Sequence, residues 1–109
     1  MTGSIFMALT NSVSAERDAE FNEWYNGVHS NDLLSLPTMR SMTRYRAVRQ
    51  ITPGGAEPSH QYLALYHLDD PEAAYRALVE RRASFTMTDA IADPLLVSYA
   101  PIFSKSVGD

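Results

Sequence analysis

The stretch from residue 20 to residue 34 runs Glu-Phe-Asn-Glu-Trp-Tyr-Asn-Gly-Val-His-Ser-Asn-Asp-Leu-Leu. Its large apolar side chains follow the i, i+3, i+4, i+7 spacing of one helix face: Phe21, Trp24, Tyr25 and Val28. Before the stretch, Ser14 is suited to cap a helix, and after it Pro37 cannot continue one. We therefore predict an amphipathic helix between these two residues, weakened from Gly27 onward because glycine disfavours helical backbone.

Segments typical of strands lie on both sides of this helix. Residues 4–11 form a short apolar run, and residues 38–51 are rich in threonine, tyrosine and valine. The turn sequence Pro-Gly-Gly at 53–55 joins the latter segment to a second run at 59–68, which predicts a β-hairpin. A last strand is predicted at 95–103.

A second helix is predicted after the hairpin. Asp70 is suited to cap it, Pro71 occupies its first position, and its apolar stripe extends to about Arg82. Residues 84–94 then predict a loop, with one helical turn at 88–92.

The predicted order βαββαβ is the ferredoxin-like plan, an α+β fold with a four-stranded antiparallel sheet. We expect one such domain over residues 1–109. Both helices would cover the same face of the sheet, so the other face would stay uncovered. Because soluble monomers rarely expose a large apolar face, we predict a homodimer that forms through the sheet and closes a dimeric α+β barrel.

Composition restricts the classes of function. The chain has 109 residues, no cysteine, three histidines and a formal net charge of −4. Without cysteine there is no disulfide framework, cysteine-ligated metal or thiol nucleophile. An acidic chain without a basic run is a poor candidate for nucleic-acid binding, and no apolar stretch has the length of a membrane span. No metal-ligand spacing is present. We expect a cytoplasmic protein without cofactor.

Residues 20–46 resemble the matching part of dimeric α+β barrel proteins of the EthD-like type. The shared pattern F-x-x-W-Y-x-x-x-H-x-x-D-L-L stands at 21–34, and the proline and R-Y-R run that follow it stand at Pro37 and 44–46. The resemblance implies a homodimer with a pocket in each subunit between sheet and helices. Thr38 stands where the family usually has glycine.

The superfamily that these residues resemble includes cofactor-free monooxygenases, polyketide cyclases, muconolactone-type isomerases and haem-binding branches. In the isomerase branch a histidine near the end of the first helix, in the position of His29, is a proton-handling residue. Haem binding through His29, His60 or His67 is the weaker alternative that the resemblance leaves open.

His29 and Asp32 are the candidate catalytic residues. They lie three residues apart, so on a helix they can share a face with Tyr25. A carboxylate beside an imidazole can orient and charge it for general acid–base work. The structural alternative is that His29 packs near a helix end and Asp32 caps the next turn.

Aromatic residues are candidates for lining a substrate pocket. Trp24 and Tyr25 belong to the helix stripe, where an aromatic side chain is more often part of the core.

On the segment at 59–68, alternation sends successive side chains to opposite faces of the sheet. We expect Leu63 and Leu65 to face the helices, together with His67 as a second pocket candidate. Tyr62 and Tyr66 are then expected to face the dimer barrel, with hydroxyl groups available to water or ligand. A lone histidine near a strand end is more often structural.

Arg44 and Arg46 project to one side of their strand and Tyr45 to the other. The arginines suit either a fork that recognises an anion or salt bridges at an edge or dimer interface, and the second interpretation is favoured. Tyr45 offers a hydroxyl group to a phenolic or lactone ligand.

Together these features predict a cofactor-independent enzyme of uncertain reaction, of isomerase, cyclase, dehydratase or lyase type, acting on a cyclic or aromatic oxygenated metabolite. The alternatives are a cofactor-free monooxygenase and a ligand-binding accessory protein without catalysis.

Overall fold

The computed structural model describes residues 3–108, so the predicted domain bounds at 1, 2 and 109 lie outside it. Its elements, in chain order, are β1 (Ser4–Ser12), α1 (Asp18–Trp24), a π turn (Tyr25–His29), α2 (Ser30–Leu34), β2 (Met39–Arg46), β3 (Tyr62–Leu68), α3 (Pro71–Arg81) and β4 (Ile91–Tyr99). Short 3-10 turns precede α1 and follow α3. The strands form one antiparallel sheet in the order β2-β3-β1-β4. The predicted α+β, ferredoxin-like βαββαβ fold is confirmed.

The hairpin strands are shorter than predicted. β2 ends at Arg46 and β3 begins at Tyr62, so residues 47–61 form a long connection around the glycine-rich turn.

The predicted helical turn at 88–92 is wrong, because β4 already begins at Ile91. Pairing with β1 continues past a register shift between Leu9 and Asn11 and extends to Ser12 opposite Ile91. Asp93 lies in this irregular part of β4 with a φ of 52°. The strand ends at Tyr99 rather than at 103.

The helix becomes irregular around Gly27, where the weakening is predicted, but it does not end there. α1 passes without a break through the π turn into α2, and the Ser30 N–H donates to the carbonyl of Tyr25. A π turn leaves carbonyl groups without their usual partners. Two side chains supply partners here: Ser30 Oγ donates to Asn26 O at 2.6 Å, and Asn31 Nδ2 donates to Gly27 O at 2.9 Å.

Thr38 adopts a backbone conformation that favours glycine. Its φ is 64°, in the left-handed region where a β-branched residue is strained. Its Oγ1 accepts from the Asp70 N–H at 2.9 Å and donates to the Asp70 carbonyl at 3.3 Å. The threonine therefore ties the start of β2 to the start of α3.

The faces of β3 are the reverse of the prediction. Tyr62 and Tyr66 are buried on the helix side with Ala64, while the leucines between them and His67 lie on the outer face. The tyrosines tolerate the interior because their hydroxyl groups find partners there, described below. On β3 the tyrosines, Ala64 and Leu68 therefore face the helices, in place of the two leucines at 63 and 65.

The outer face of the sheet is apolar. It carries half-buried side chains in paired rows on the two central strands and β4: Ile5, Met7, Leu9, Leu63, Leu65 and Val97. No element among residues 3–108 covers this face.

Candidate functional site

A cavity of about 320 Å³ lies between the sheet and the helices. Its lining comes from β1, the first helical segment, α3, the following loop and β4, and is mostly apolar: Ala8, Thr10, Tyr25, His29, Leu33, Leu78, Arg82, Phe85, Met87, Ile91, Pro94, Leu95 and Leu96. A groove of about 380 Å³ continues it along α3 and shares Leu78, Arg82 and Leu96 with it.

The sheet makes room for this cavity with small side chains. The pairing register aligns Arg44, Ala64, Ala8 and Leu96 in one row across all four strands. Both central positions of that row are alanines. Because an alanine side chain is short, it leaves space between the sheet and the helices at this point. Ala8 thereby lines the cavity together with Tyr25 and His29.

His29 is held between two aromatic rings. Its imidazole stacks on the Trp24 indole with centroids 4.5 Å apart and planes at 21°, and it meets the Tyr25 ring edge-on at 4.9 Å. In an α-helix, two residues five positions apart point about 140° away from each other. The π turn removes this divergence and brings Trp24 and His29 together.

The His29 imidazole is neutral at physiological pH. Burial lowers its pKa to about 4; the charge of Asp32 raises it and that of Arg44 lowers it, both by less. Nδ1 is buried without a hydrogen-bond partner. Because Nδ1 is enclosed, Nε2 is the ring nitrogen left to meet a ligand.

Asp32 does not orient His29 as predicted. Among the hydrogen bonds of residues 3–108, its Oδ2 accepts from the Thr86 N–H at 3.3 Å. The carbonyl of the same Thr86 accepts from Trp24 Nε1 at 2.7 Å. Asp32 and Trp24 therefore hold the loop after α3, which closes one side of the cavity through Phe85 and Met87. Asp32 influences His29 through charge alone.

Two buried tyrosines form the polar centre of the core. The hydroxyl groups of Tyr25 and Tyr66 are 2.9 Å apart, and both side chains are fully enclosed. Burial raises the pKa of both phenols, so they stay protonated near neutrality.

Tyr62 joins a second polar group at the start of α1. Its hydroxyl donates to Asp18 Oδ1 at 2.5 Å and accepts from Asn22 Nδ2 at 3.2 Å.

The sequence did not identify Arg44 as part of this region. Its guanidinium lies against aromatic rings, 4.3 Å from the Tyr25 centroid and 5.2 Å from that of Tyr62. Nη1 donates to the side-chain oxygens of Asn22 and Asn26, each at 2.9 Å. Arg44 has no ion pair within residues 3–108, so the favoured interpretation finds no edge salt bridge within the chain, and a salt bridge across a dimer interface stays a prediction. One feature of the sequence does point to Arg44. Met42 lies two residues earlier on β2 and projects to the same side of the sheet, and Met42 packs against the core.

Of the six predicted lining residues, Tyr25 lines the cavity and the other five do not. Trp24 and Tyr66 are buried in the core, and Tyr62 lines a separate cleft between the first helical segment and β2.

Tyr45 is half exposed on the outer face of β2, and His67 is exposed on the same face of β3. His60 lies beside the long connection, where its Nε2 pairs with the Asp93 carbonyl at 3.0 Å.

A wider, polar cleft of about 580 Å³ at the Asn11 end holds none of the predicted residues. Its Asn11 amide is already paired with Ser59 O and Asp93 Oδ2. In the described part of the chain, no three histidine or acidic side chains are grouped to hold a metal ion. No helix within residues 3–108 is long and apolar enough to cross a membrane.

Solved structures share this fold. An ethyl tert-butyl ether d (EthD) family protein from Bacillus halodurans is 18% identical, with 92% of this chain and 99% of that chain covered and a TM-score of 0.60. A monooxygenase candidate from Shewanella loihica is 12% identical, with 95% and 99% covered and a TM-score of 0.66. The haem degrader MhuD from Mycobacterium tuberculosis, with two haems in its active site, is 12% identical, with 94% and 99% covered and a TM-score of 0.62.

No protein-family model and no curated protein matches the chain. At these identities the likeness shows the fold, and it confirms at that level the EthD-like resemblance of residues 20–46.

Proposed function

We propose that the protein is an enzyme that transforms a small cyclic or aromatic oxygenated metabolite by acid–base chemistry, as an isomerase, cyclase, dehydratase or lyase. The observation that supports this proposal is a neutral His29 on the wall of an apolar cavity of about 320 Å³. A neutral imidazole can accept a proton without first losing one. The cavity volume lies at the small end of ligand sites, which range over about 300–1,000 Å³.

In this proposal His29 Nε2 takes a proton from a carbon or hydroxyl group beside a substrate carbonyl. The imidazolium returns the proton to another atom, and the protein ends the cycle unchanged. Trp24 and Tyr25 fix the imidazole, while Leu33 and Phe85 keep water from the reacting atoms. Because the apolar surroundings disfavour the imidazolium, the proton is passed on rather than held.

The test is proton exchange in D₂O. The protein is incubated with a panel of cyclic enones, lactones and polyhydroxylated aromatics, and deuterium incorporation and product formation are followed by NMR. We expect exchange with at least one compound, and a loss of about 100-fold or more for His29→Gln, the range of general base catalysis. His60→Gln is the matched control. Equal exchange by His29→Gln would refute the role of His29.

A cofactor-free monooxygenase is the second candidate, supported by the Shewanella loihica likeness. It predicts oxygen uptake with an electron-rich quinol and oxygen incorporation into the product. A non-catalytic binding protein would instead be stabilised thermally by aromatic metabolites without either reaction.

Haem is not part of this proposal. The His29 imidazole is stacked on Trp24 and bordered by Tyr25, and we propose that the cavity of about 320 Å³ beside it takes a molecule smaller than a porphyrin. His60 pairs with a backbone carbonyl and His67 lies on the outer sheet face, so neither extends the site. No step of the proposed reaction involves haem.

We also propose that the protein acts as a cytoplasmic homodimer. The uncovered apolar face of the sheet supports dimerisation, because two such faces can pack against each other. Tyr45 and His67 would then contact the partner copy rather than a ligand in the cavity.

A further inference from the structure

A second cleft, of about 250 Å³, lies between the first helical segment and edge strand β2. It is lined by Asn22, Asn26, Arg44, Tyr45, Arg46 and Tyr62. Its lining contains two arginines and no carboxylate, although the whole chain has a net charge of −4. The local charge of this cleft is therefore opposite to that of the protein.

The charge of Arg44 is held in place without being neutralised. Two asparagine oxygens accept from Nη1, while Nε and Nη2 are buried without an acceptor. Asp18 acts on Arg44 through its charge, but its Oδ1 accepts instead from Ser12 at 3.0 Å and from Tyr62. A half-buried guanidinium without a carboxylate partner is a costly arrangement, and it favours an anion nearby.

Arg46 supplies the accessible part of the cleft. It is exposed, lies two residues from Arg44 on the same side of β2, and has no ion pair among residues 3–108. Asn26 directs its side-chain oxygen at Arg44, so its NH₂ group points another way and is available to a ligand. The guanidinium fork of Arg46 matches the two oxygens of a carboxylate.

We propose that this cleft binds the carboxylate of a small aromatic acid. Arg46 and Asn26 donate hydrogen bonds to the carboxylate, and Arg44 adds a fixed positive charge behind them. The ring of Tyr62 borders the same cleft and suits a flat apolar remainder. The proposal concerns a site separate from His29 and does not depend on the proposed reaction.

The experiment is an NMR titration of the ¹⁵N-labelled protein with sodium benzoate and, separately, with sodium phosphate at constant ionic strength. We expect saturable benzoate shifts at the amides of Asn26, Arg44, Arg46 and Tyr62. Arg46→Gln should weaken benzoate binding by about tenfold, as the loss of a charge-assisted hydrogen bond does. Arg49→Gln is the control, because it removes the same charge from the exposed connection. It should change the dissociation constant for benzoate by less than about twofold.

Asn26→Ala is a second test at an exposed position and should weaken binding in the same direction as Arg46→Gln. Three results would overturn the proposal. The first is equal weakening by Arg49→Gln, which would mean attraction by net charge alone. The second is tighter saturation by phosphate than by benzoate, and the third is benzoate shifts confined to residues around His29.

Discussion

The imidazole of His29 stacks on the indole of Trp24 with ring centroids 4.5 Å apart. Trp24 is the chain's single tryptophan, so its fluorescence reports directly on this contact. The contact depends on the π turn between them, and π turns in helices are frequent at functional sites.

Tryptophan fluorescence should therefore follow the titration of His29. A protonated imidazole quenches indole more strongly than a neutral one, so emission should fall with a midpoint near pH 4, the lowered pKa of His29. The His29→Gln variant should lack this transition while His60→Gln keeps it. A midpoint near pH 6.5, the ordinary histidine value, would show that the ring is not buried as described.

Stability should fall in acid through the same group. The His29 pKa is about 4 in the folded protein and 6.5 for an ordinary histidine, so the unfolded chain binds the extra proton between these values. The contribution of this pKa shift to the free energy of unfolding is fully present above about pH 6.5. It decreases by about 2–3 kcal/mol as the pH falls to about 4. Urea unfolding at pH 7 and pH 4.5 measures it. His29→Gln should show a smaller difference, and an unchanged difference would contradict the assignment.

The Tyr25–Tyr66 pair should behave as one unit. Either single change to phenylalanine leaves a buried hydroxyl group unpaired and should cost about 1–3 kcal/mol. The double variant removes both hydroxyl groups, so its cost should be clearly below the sum of the single costs. Urea unfolding of the four proteins gives the coupling. Simple additivity would mean that the hydroxyl groups do not interact.

Asp32 should act on His29 through charge and on the loop through its hydrogen bond. Asp32→Asn removes the charge that raises the His29 pKa, so the fluorescence midpoint should move below pH 4. Glu16→Gln, the same charge change at the start of the helical segment, should leave the midpoint in place. Asp32→Ala also frees Thr86 and should cost about 0.5–1.5 kcal/mol, measured by urea unfolding.

The outer sheet face should control assembly. Leu65 lies at the centre of β3 on that face, paired with Met7 and Thr43. If two copies pack there, Leu65→Lys should convert a dimer to a monomer in sedimentation. Val79→Lys, on exposed α3 surface, is the control and should remain dimeric. A wild-type monomer at micromolar concentration would rule out the dimer.

The fold was predictable because periodicity and caps report local structure. Asp70 caps α3 through the Ala73 N–H, as its place before Pro71 indicates. The faces of β3 were not predictable from residue type, because leucine is more apolar than tyrosine. The reversal follows from hydroxyl partners on other elements, such as Tyr25 and Asp18, which the alternation along one strand does not reveal.

The candidate site was predictable in part. His29 stood out as a histidine at the end of an aromatic stripe, and it does line the cavity. Its contact with Trp24 was hidden because a spacing of five is not a helical neighbour unless a π turn intervenes. Arg44 was hidden because its partners, the oxygens of Asn22 and Asn26, belong to another element.

Ala8 and His29 line the same cavity but belong to different elements of the fold. Ala8 belongs to a strand and influences how deep the cavity is, while His29 belongs to the helical segment and provides the proton chemistry. A larger side chain at position 8 would reduce the size of the largest molecule that can enter the cavity. The imidazole of His29 would stay in place. Relatives with this layout could thus diverge in the size of molecule they accept by exchanging a few strand residues, while keeping the same reacting group.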